Sequence, residues 1–487
     1  MVEKVLVTGA TGYVASRLVP ALLECGHRVR ATSRHPEALL GRHPQIEVVP
    51  SDMLDAASLR EALEGIDVAY YLVHSMAGKD FAAKDRKAAS AFAAATEGAG
   101  VRRIVYLGGL GAAGDKLSSH LASRHEVGEI LAGSSVQTIE LRAAIVIGAG
   151  SVAFEMLRYL TERLPLMIAP RWLNTRIQPV PESDLVDYLV AAATVGVEED
   201  QVVEIGGTDI LTYRNMILAY AAERKLRRGI VGVPVLTPTL SSYWIKLVTP
   251  IPTSMARPLI DGLKNEVVVT DESATKVFPE IAPGDYRSAV RRLLGRQVEL
   301  LETTRPARAS EIPGTFDSIF VDRQWVLSAA DPKSMSEVIA SIGGDPRWYP
   351  LRWTWWVRAR LDDLFGGTGL RWERPEGNLE PGARVDWWTV KDITEDRLLL
   401  RAEIKAPGEA WLEWRVVPHE DGSELRQTAY FRPRGALGHL YWWGLYPFHA
   451  PIFRLMAAGL AGRAEDRRRS RGKDSPMEDA LRALGEG

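Results

Sequence analysis

Short apolar runs separated by amphipathic stretches dominate the first 300 positions. Val5-Leu6-Val7 reads as a buried strand. Directly after it Val14, Leu18 and Leu22 recur at helical spacing, with Val19 and Leu23 beside them. The alternation continues with strand-like runs at 29–33, 46–49, 68–73, 104–107, 138–141 and 202–205. Helical patterns fall at 56–64, 81–98, 152–163, 185–193 and 211–224. Strands alternating with helices predict an α/β, doubly wound parallel sheet, on which ligands sit at the carboxyl ends of the strands.

The texture changes after the Pro-rich polar stretch 303–314. Residues 316–328 read as a strand and 332–342 as a helix. Period-two alternation at 385–391, 397–405, 409–417 and 423–431 then predicts antiparallel strands, with a hairpin turn at Glu420-Asp421-Gly422-Ser423. A long helix, 448–471, presents Ile452, Phe453, Met456 and Leu460 near one face. The expected organisation is a first domain over 1–305 with a substrate lobe at about 165–300, a linker at 306–315, an α+β domain over 316–470 and a polar tail at 471–487. At 487 residues, two or three domains are the natural expectation.

The chemistry begins where the first strand meets the first helix, at Thr8-Gly9-Ala10-Thr11-Gly12-Tyr13-Val14-Ala15. Gly9 permits a tight turn, Gly12 lets the backbone approach a phosphate, and Ala15 allows close helix–strand packing. The unpaired N–H groups of the helix's first turn then face an anion, so the stretch predicts a dinucleotide pyrophosphate site built on Gly9, Thr11, Gly12, Tyr13 and Val14. An acidic residue about 20 positions on would grip a ribose 2′-hydroxyl. The chain instead has Ser33-Arg34 there, with Arg30 and His35 near, and a guanidinium suits a 2′-phosphate. The expected cofactor is therefore NADP(H) in preference to NAD(H). Asp52-Met53, Val73-His74 and Gly108 end the next strands and fall on the same rim. Asp52 can accept from an adenine amino group, while Asp55 is the better helix cap.

Net charge −2 gives no electrostatic case for nucleic acid as a partner. The single cysteine, Cys25, excludes an intrachain disulfide. The chain enters a strand at once without a signal-like segment, so a cytoplasmic location is expected. Stretches 229–245 and 435–453 lack charged residues, but their Pro and Gly content argues against a span and leaves a membrane surface only as a candidate contact. Twelve of the 14 Trp lie beyond position 320, which suits a small β core, a ligand cavity or a membrane interface. The Arg467–Arg471 run beside the aromatics at 441–446 makes peripheral contact with anionic lipid a candidate role. No oligomeric state follows from the sequence.

The turn and the order of elements resemble the atypical short-chain dehydrogenase/reductase family with its NmrA-like relatives, a Rossmann fold. Residues 8–15 look like that family's TGxxGxxG fingerprint, and Arg34, Asp52 and the end of the fourth strand match its cofactor-contact positions. The resemblance implies a Ser or Thr after strand five and a Tyr-x-x-x-Lys in the next helix. Here the first position falls on Gly108-Gly109, and the best match to the second is His120-x-x-x-Arg124. The expected roles are a general acid for His120 and a ribose contact for Arg124. Residues 316–469 resemble the helix-grip fold of START and polyketide-cyclase proteins, which wraps a sheet around its last helix. The leading expectation is an NADP(H)-dependent oxidoreductase acting on an apolar small molecule. The alternatives are a non-catalytic NADP(H)-binding regulator and a peripheral lipid-handling protein.

Overall fold

The computed structural model describes residues 2–34, 45–74, 80–111, 117–233, 253–303, 319–345 and 373–485, with 36, 39, 249, 251, 348, 350 and 360 singly between them. The chain forms two compact units, Met1–Leu294 and Gly295–Gly487.

The first unit is built on strands β1 (Lys4–Val7), β2 (Arg28–Ser33), β3 (Glu47–Pro50), β4 (Val68–Tyr71), β5 (Arg103–Gly109), β6 (Gln137–Ala143) and β7 (Gln201–Ile205). They form one parallel sheet in the order β7-β6-β5-β4-β1-β2-β3. The order reverses between β1 and β4, and this switch point opens a crevice beyond the strand ends. Helices α1 (Tyr13–Glu24), α2 (Ala56–Leu63), α3 (Phe81–Ala99), α4 (Ser119–Ala132), α5 (Val152–Arg163), α6 (Glu182–Thr194), α7 (Tyr213–Glu223) and α8 (Thr253–Gly262) complete the layers used below, and α9 (Tyr286–Thr303) belongs to this unit as far as Leu294. Leu18, Val19 and Leu22 of α1 are buried against one sheet face, as their spacing predicts. Phe92 of α3 and Leu131 of α4 fill the cluster that also holds Leu6, Tyr71 and Tyr106. Helix α2 carries the expected cap, Asp55 accepting from Ala57 N–H at 3.0 Å.

The second unit has a six-stranded antiparallel sheet with β8 (Phe320–Ser328), β9 (Arg384–Val385), β10 (Trp388–Thr394), β11 (Arg397–Ala402), β12 (Gly408–His419) and β13 (Gly422–Pro433), in the order β8-β13-β12-β11-β10-β9. Helix α10 (Pro332–Ala340) and the long helix α11 (Gly435–Gly485) add Met335, Val338, Phe453, Met456 and Leu460 to one face of it. Of the described tryptophans, Trp387, Trp388, Trp411, Trp414 and Trp442 are buried, so they build core, whereas Trp325 and Trp443 are exposed. The expected linker 306–315, residues 234–248 and Trp353, Trp355, Trp356 and Trp372 lie outside the described residues.

Helix α11 differs from the expected 448–471. It begins at Gly435 and passes through Pro447 and Pro451. Proline forfeits the hydrogen bond to the carbonyl four residues back. Those carbonyls belong to Trp443 and Pro447, both on the exposed side, where water can satisfy them. Contact of the opposite side with the sheet carries the helix through.

Candidate active site at the carboxyl rim of the parallel sheet

Thr8 anchors the turn between β1 and α1. Its hydroxyl donates to Tyr70 O at 2.9 Å and accepts from Leu72 N–H at 3.1 Å, tying the turn to the end of β4. Gly9 has φ +62°, and a Cβ there would stand 2.9 Å from Leu72 O, so only glycine fits. Gly12 is the N-cap of α1 and offers no side-chain cap, unlike Asp55 of α2 and Ser118 of α4. The first-turn N–H groups of α1 are thus left for an external acceptor, which is what a pyrophosphate requires. The main chain of Thr11, Tyr13 and Val14 lies in this turn, but the Tyr13 side chain is committed elsewhere. Its hydroxyl donates to the Glu182 carboxylate, which also pairs with Arg17 at 3.1 Å. Burial first, and Glu182 second, push the Tyr13 phenol well above its ordinary value.

At the end of β2, Arg34 is exposed and makes no hydrogen bond or ion pair with a described residue. Arg30 is not available in the same way: it is buried, donates to Ala62 O and Glu64 O at 2.8 and 2.9 Å, and pairs with Glu47 at 2.8 Å. After β3, the exposed Asp52 accepts from Leu54 N–H at 2.9 Å through one oxygen. Met53 and Val73 are half-buried, and Val73 stands beside Gly9.

The ends of β4, β5 and β6 meet α4 and α8 around a cleft of about 230 Å³. His74, Gly108, His120 and Arg124 all line it, so the structure brings the ends of β4 and β5 to the helix that carries His120 and Arg124 one turn apart. The rest of the wall is mainly apolar, including Leu110, Leu121, Ile145, Ile177 and Leu263. The rings of His74 and His120 are 5.9 Å apart. Desolvation first, and the Arg124 guanidinium second, lower His120 to about 4. The same causes, with His120 third, lower His74, and its open surface to solvent moderates the effect. His120 is therefore a neutral imidazole near pH 7. The expectation that it titrates near neutrality gives way to this, because a half-buried ring beside a cation disfavours the charged form. Arg124 donates to Leu107 O and lies 5.4 Å from the Tyr106 ring centroid, while the Tyr106 hydroxyl donates back to Arg124 O at 2.9 Å.

The glycines at the end of β5 have a steric reason. A Cβ on Gly108 would meet Glu140 Oε1 at 2.5 Å, and one on Gly109 would meet Leu121 Cδ2 at 2.8 Å. Glu140 is buried and held by Arg142 through bonds of 2.9 and 3.1 Å. Glu140 and Tyr213, a half-buried phenol on the cleft wall, are residues that sequence reasoning missed. The available signal for Glu140 was an acidic residue inside a strand of a buried parallel sheet. Tyr213 follows the N-cap Thr212 and carried none.

Among the described residues no group of His, Cys, Asp and Glu is placed to hold a metal, and no helix is long and apolar enough to cross a membrane.

Comparison with known proteins agrees with this geometry. Residues 9–144 match the family described as NAD(P)H-binding, and residues 315–456 match one described as a protein of unknown function (DUF2867). A 3 beta-hydroxysteroid dehydrogenase/Delta 5→4-isomerase of Mycobacterium tuberculosis is 37% identical over 114 residues, which are 21% of this chain and 30% of that protein. Cinnamoyl-CoA reductase 1 of Petunia hybrida is 40% identical over 77 residues, 14% of this chain and 23% of that one. The chain thus spans less than a third of the length of these relatives. The structure of the Citrobacter sp. triphenylmethane reductase aligns with a TM-score of 0.50 at 18% identity, over 60% of this chain and 99% of that one. That likeness is one of fold. The first unit thus has a Rossmann-like fold, and its residues 9–144 are similar to NAD(P)H-binding domains.

Proposed function

We propose that the protein is an NADP(H)-dependent oxidoreductase that reduces an apolar carbonyl or quinone-like small molecule. The observation that carries the reading is the apolar cleft on the same carboxyl rim of the sheet as the uncapped glycine turn, with His120 and Arg124 on its wall. Gly9, Thr11, Gly12, Tyr13 and Val14 would hold the pyrophosphate through the main chain, Arg34 the 2′-phosphate, and Asp52 and Met53 the adenine end. Val73, His74 and Gly108 would border the nicotinamide end. Bound there, NADPH supplies a hydride.

The chain's own residues do the rest. A neutral His120 donates a ring N–H to the substrate oxygen and stabilises the negative charge that develops on it, as neutral imidazoles do in other active sites. The net proton comes from water. Arg124, anchored on Leu107 and Tyr106, is a positioning residue that also keeps His120 neutral. No hydroxyl at Gly108 or Gly109 assists, because Glu140 and Leu121 occupy that space. The second unit is read as a helix-grip ligand module, on the grounds of its antiparallel sheet and terminal helix.

Titration of the purified full-length protein with NADPH and NADH tests the cofactor assignment. Arg34→Ala should weaken NADPH about 10- to 100-fold, from the loss of a charge-assisted contact worth roughly 1.5–3 kcal/mol, and leave NADH unchanged. Equal loss for both, or none, would refute it. Deuteride transfer from labelled NADPH to quinones, enones and aryl ketones tests turnover. Tight cofactor binding with no transfer to any of these would favour a regulator.

A further inference from the structure

We propose that the outer side of the first half of α11 seats the second unit on an anionic lipid surface. Over this half the helix is apolar on two opposite sides. One side packs on the sheet through Phe453 and, further along, Met456 and Leu460. The other carries Leu437, Leu440, Phe448 and Leu455, at offsets that return to one side of a 3.6-residue helix. These four are 71%, 70%, 68% and 51% exposed, and Trp443 at the edge of the stripe is 60% exposed.

Exposed leucines scattered over a surface need no explanation. Here the chemistry changes along one side of a single helix. Beyond Leu455 that side carries Ala458, Gly459, Gly462, Asp466 and Arg469, as a water-facing side should. No Asp, Glu, Lys or Arg occurs in 435–453. The exposed Arg434 stands just before the patch, and the exposed Arg454, which donates to Gln324 Oε1 at 3.3 Å, stands beside Leu455 at its far end.

An apolar stripe with an indole at its border and cations at its ends is the composition of a helix lying in a lipid interface. The segment does not cross a bilayer, since among the described residues no helix is long and apolar enough. The Arg467–Arg471 run is not the source of the attraction. Arg467 and Arg471 are held by Glu337 at 3.1 and 2.8 Å, and Arg469 lies beside Glu465 and Asp466. A second copy of the chain is the weaker occupant. Positions 434–464 contain three arginines and no acidic residue, so a self-complementary contact would bring cations together with nothing to pair them.

The test is co-sedimentation of the full-length protein with phosphatidylcholine vesicles, with and without phosphatidylglycerol. Binding is expected to the anionic vesicles and to fade at high salt. The double variant Leu440→Asp/Phe448→Asp should lower partitioning at least about tenfold, because two large side chains no longer enter lipid. Both positions are exposed, so its thermal unfolding should match the parent. If that variant fails to fold, brominated lipid supplies a second readout: it should quench the parent's fluorescence, and Trp443→Phe should lose that quenching. Absence of binding to anionic vesicles, unchanged binding of the double variant, or a dimer that the double variant dissolves in a protein indifferent to lipid would each overturn the proposal.

Discussion

Replacing Gly9 by Ala tests whether the turn after β1 is as tightly determined as its geometry states. Two costs add. A left-handed backbone at φ +62° costs an L-residue roughly 1–2 kcal/mol. The new methyl would also sit 2.9 Å from Leu72 O, 3.2 Å from Leu72 C and 3.3 Å from Val73 Cγ2. Two of those atoms are backbone, so the end of β4 must yield, at a cost typical of overpacking, about 1–3 kcal/mol. Gly26, at the far end of α1, separates the terms. Its φ is +83° but nothing lies within 4 Å of an added Cβ, so Gly26→Ala reports backbone strain alone. The assay is thermal unfolding of the transition that NADPH raises, which marks the first unit. A loss of roughly 2–5 kcal/mol for Gly9→Ala corresponds to a shift on the order of 5–15 °C, and Gly26→Ala should show less than half of it. Displacement of the turn should also cost Gly9→Ala at least about tenfold in NADPH affinity, with Gly26→Ala unchanged. Equal shifts and equal affinities for the two variants would show that the Leu72 contact does not constrain the site.

Four further outcomes follow from the geometry. Because the fold holds His120 at about 4, below its unfolded value, its proton is bound more readily by the unfolded chain between pH 4 and 6.5; stability should therefore be greatest above 6.5 and fall as pH drops through that window, and His120→Gln should flatten this slope in urea melts. For the same reason kcat/KM should stay level from about pH 6 to 8 as far as His120 is concerned, and a tenfold fall per pH unit above 6.5 would mean that the imidazolium is the acid after all. Gly108→Ser, which supplies the hydroxyl that the family resemblance implies at this position, should lower the first unit's unfolding midpoint and not raise turnover, since its Cβ would lie 2.5 Å from Glu140 Oε1; a gain in activity would refute the steric account. In the second unit, Glu413 binds Arg397 at 2.7 Å, Arg415 at 3.0 Å and the Tyr430 hydroxyl at 2.8 Å in a buried cluster, so Glu413→Ala should destabilise by about 3 kcal/mol in denaturant titrations, and a change below about 1 kcal/mol would show that the cluster contributes little.

Much of the architecture was legible because its determinants are local. The period-two and period-3.6 patterns mark β1, α1 and α5 close to their observed ends, and the Gly9–Gly12 turn announces itself by backbone chemistry that few residues supply. The place of Arg34 at the end of β2 was readable for the same reason: it is defined by counting from the glycines. Breakers misled where their usual meaning was overridden. Pro447 and Pro451 mark a helix boundary in isolation, but sheet contact on the opposite side outweighs two lost hydrogen bonds.

The sequence by itself determined the elements, the glycine turn after β1 and the change of texture near residue 310, because each depends on neighbours a few positions apart. The tertiary structure decided what the side chains are free to do. It turned Arg30 into a brace for α2, bound Tyr13 to Glu182 and filled the expected serine position with Glu140. It also half-buried His120 beside Arg124, so that desolvation first and the guanidinium second lower the imidazole to about 4. The first three outcomes depend on charges and volumes that meet only when elements about 30 to 170 residues apart pack together, and no local pattern encodes such a meeting; His120 and Arg124, one helical turn apart, were already paired by their spacing.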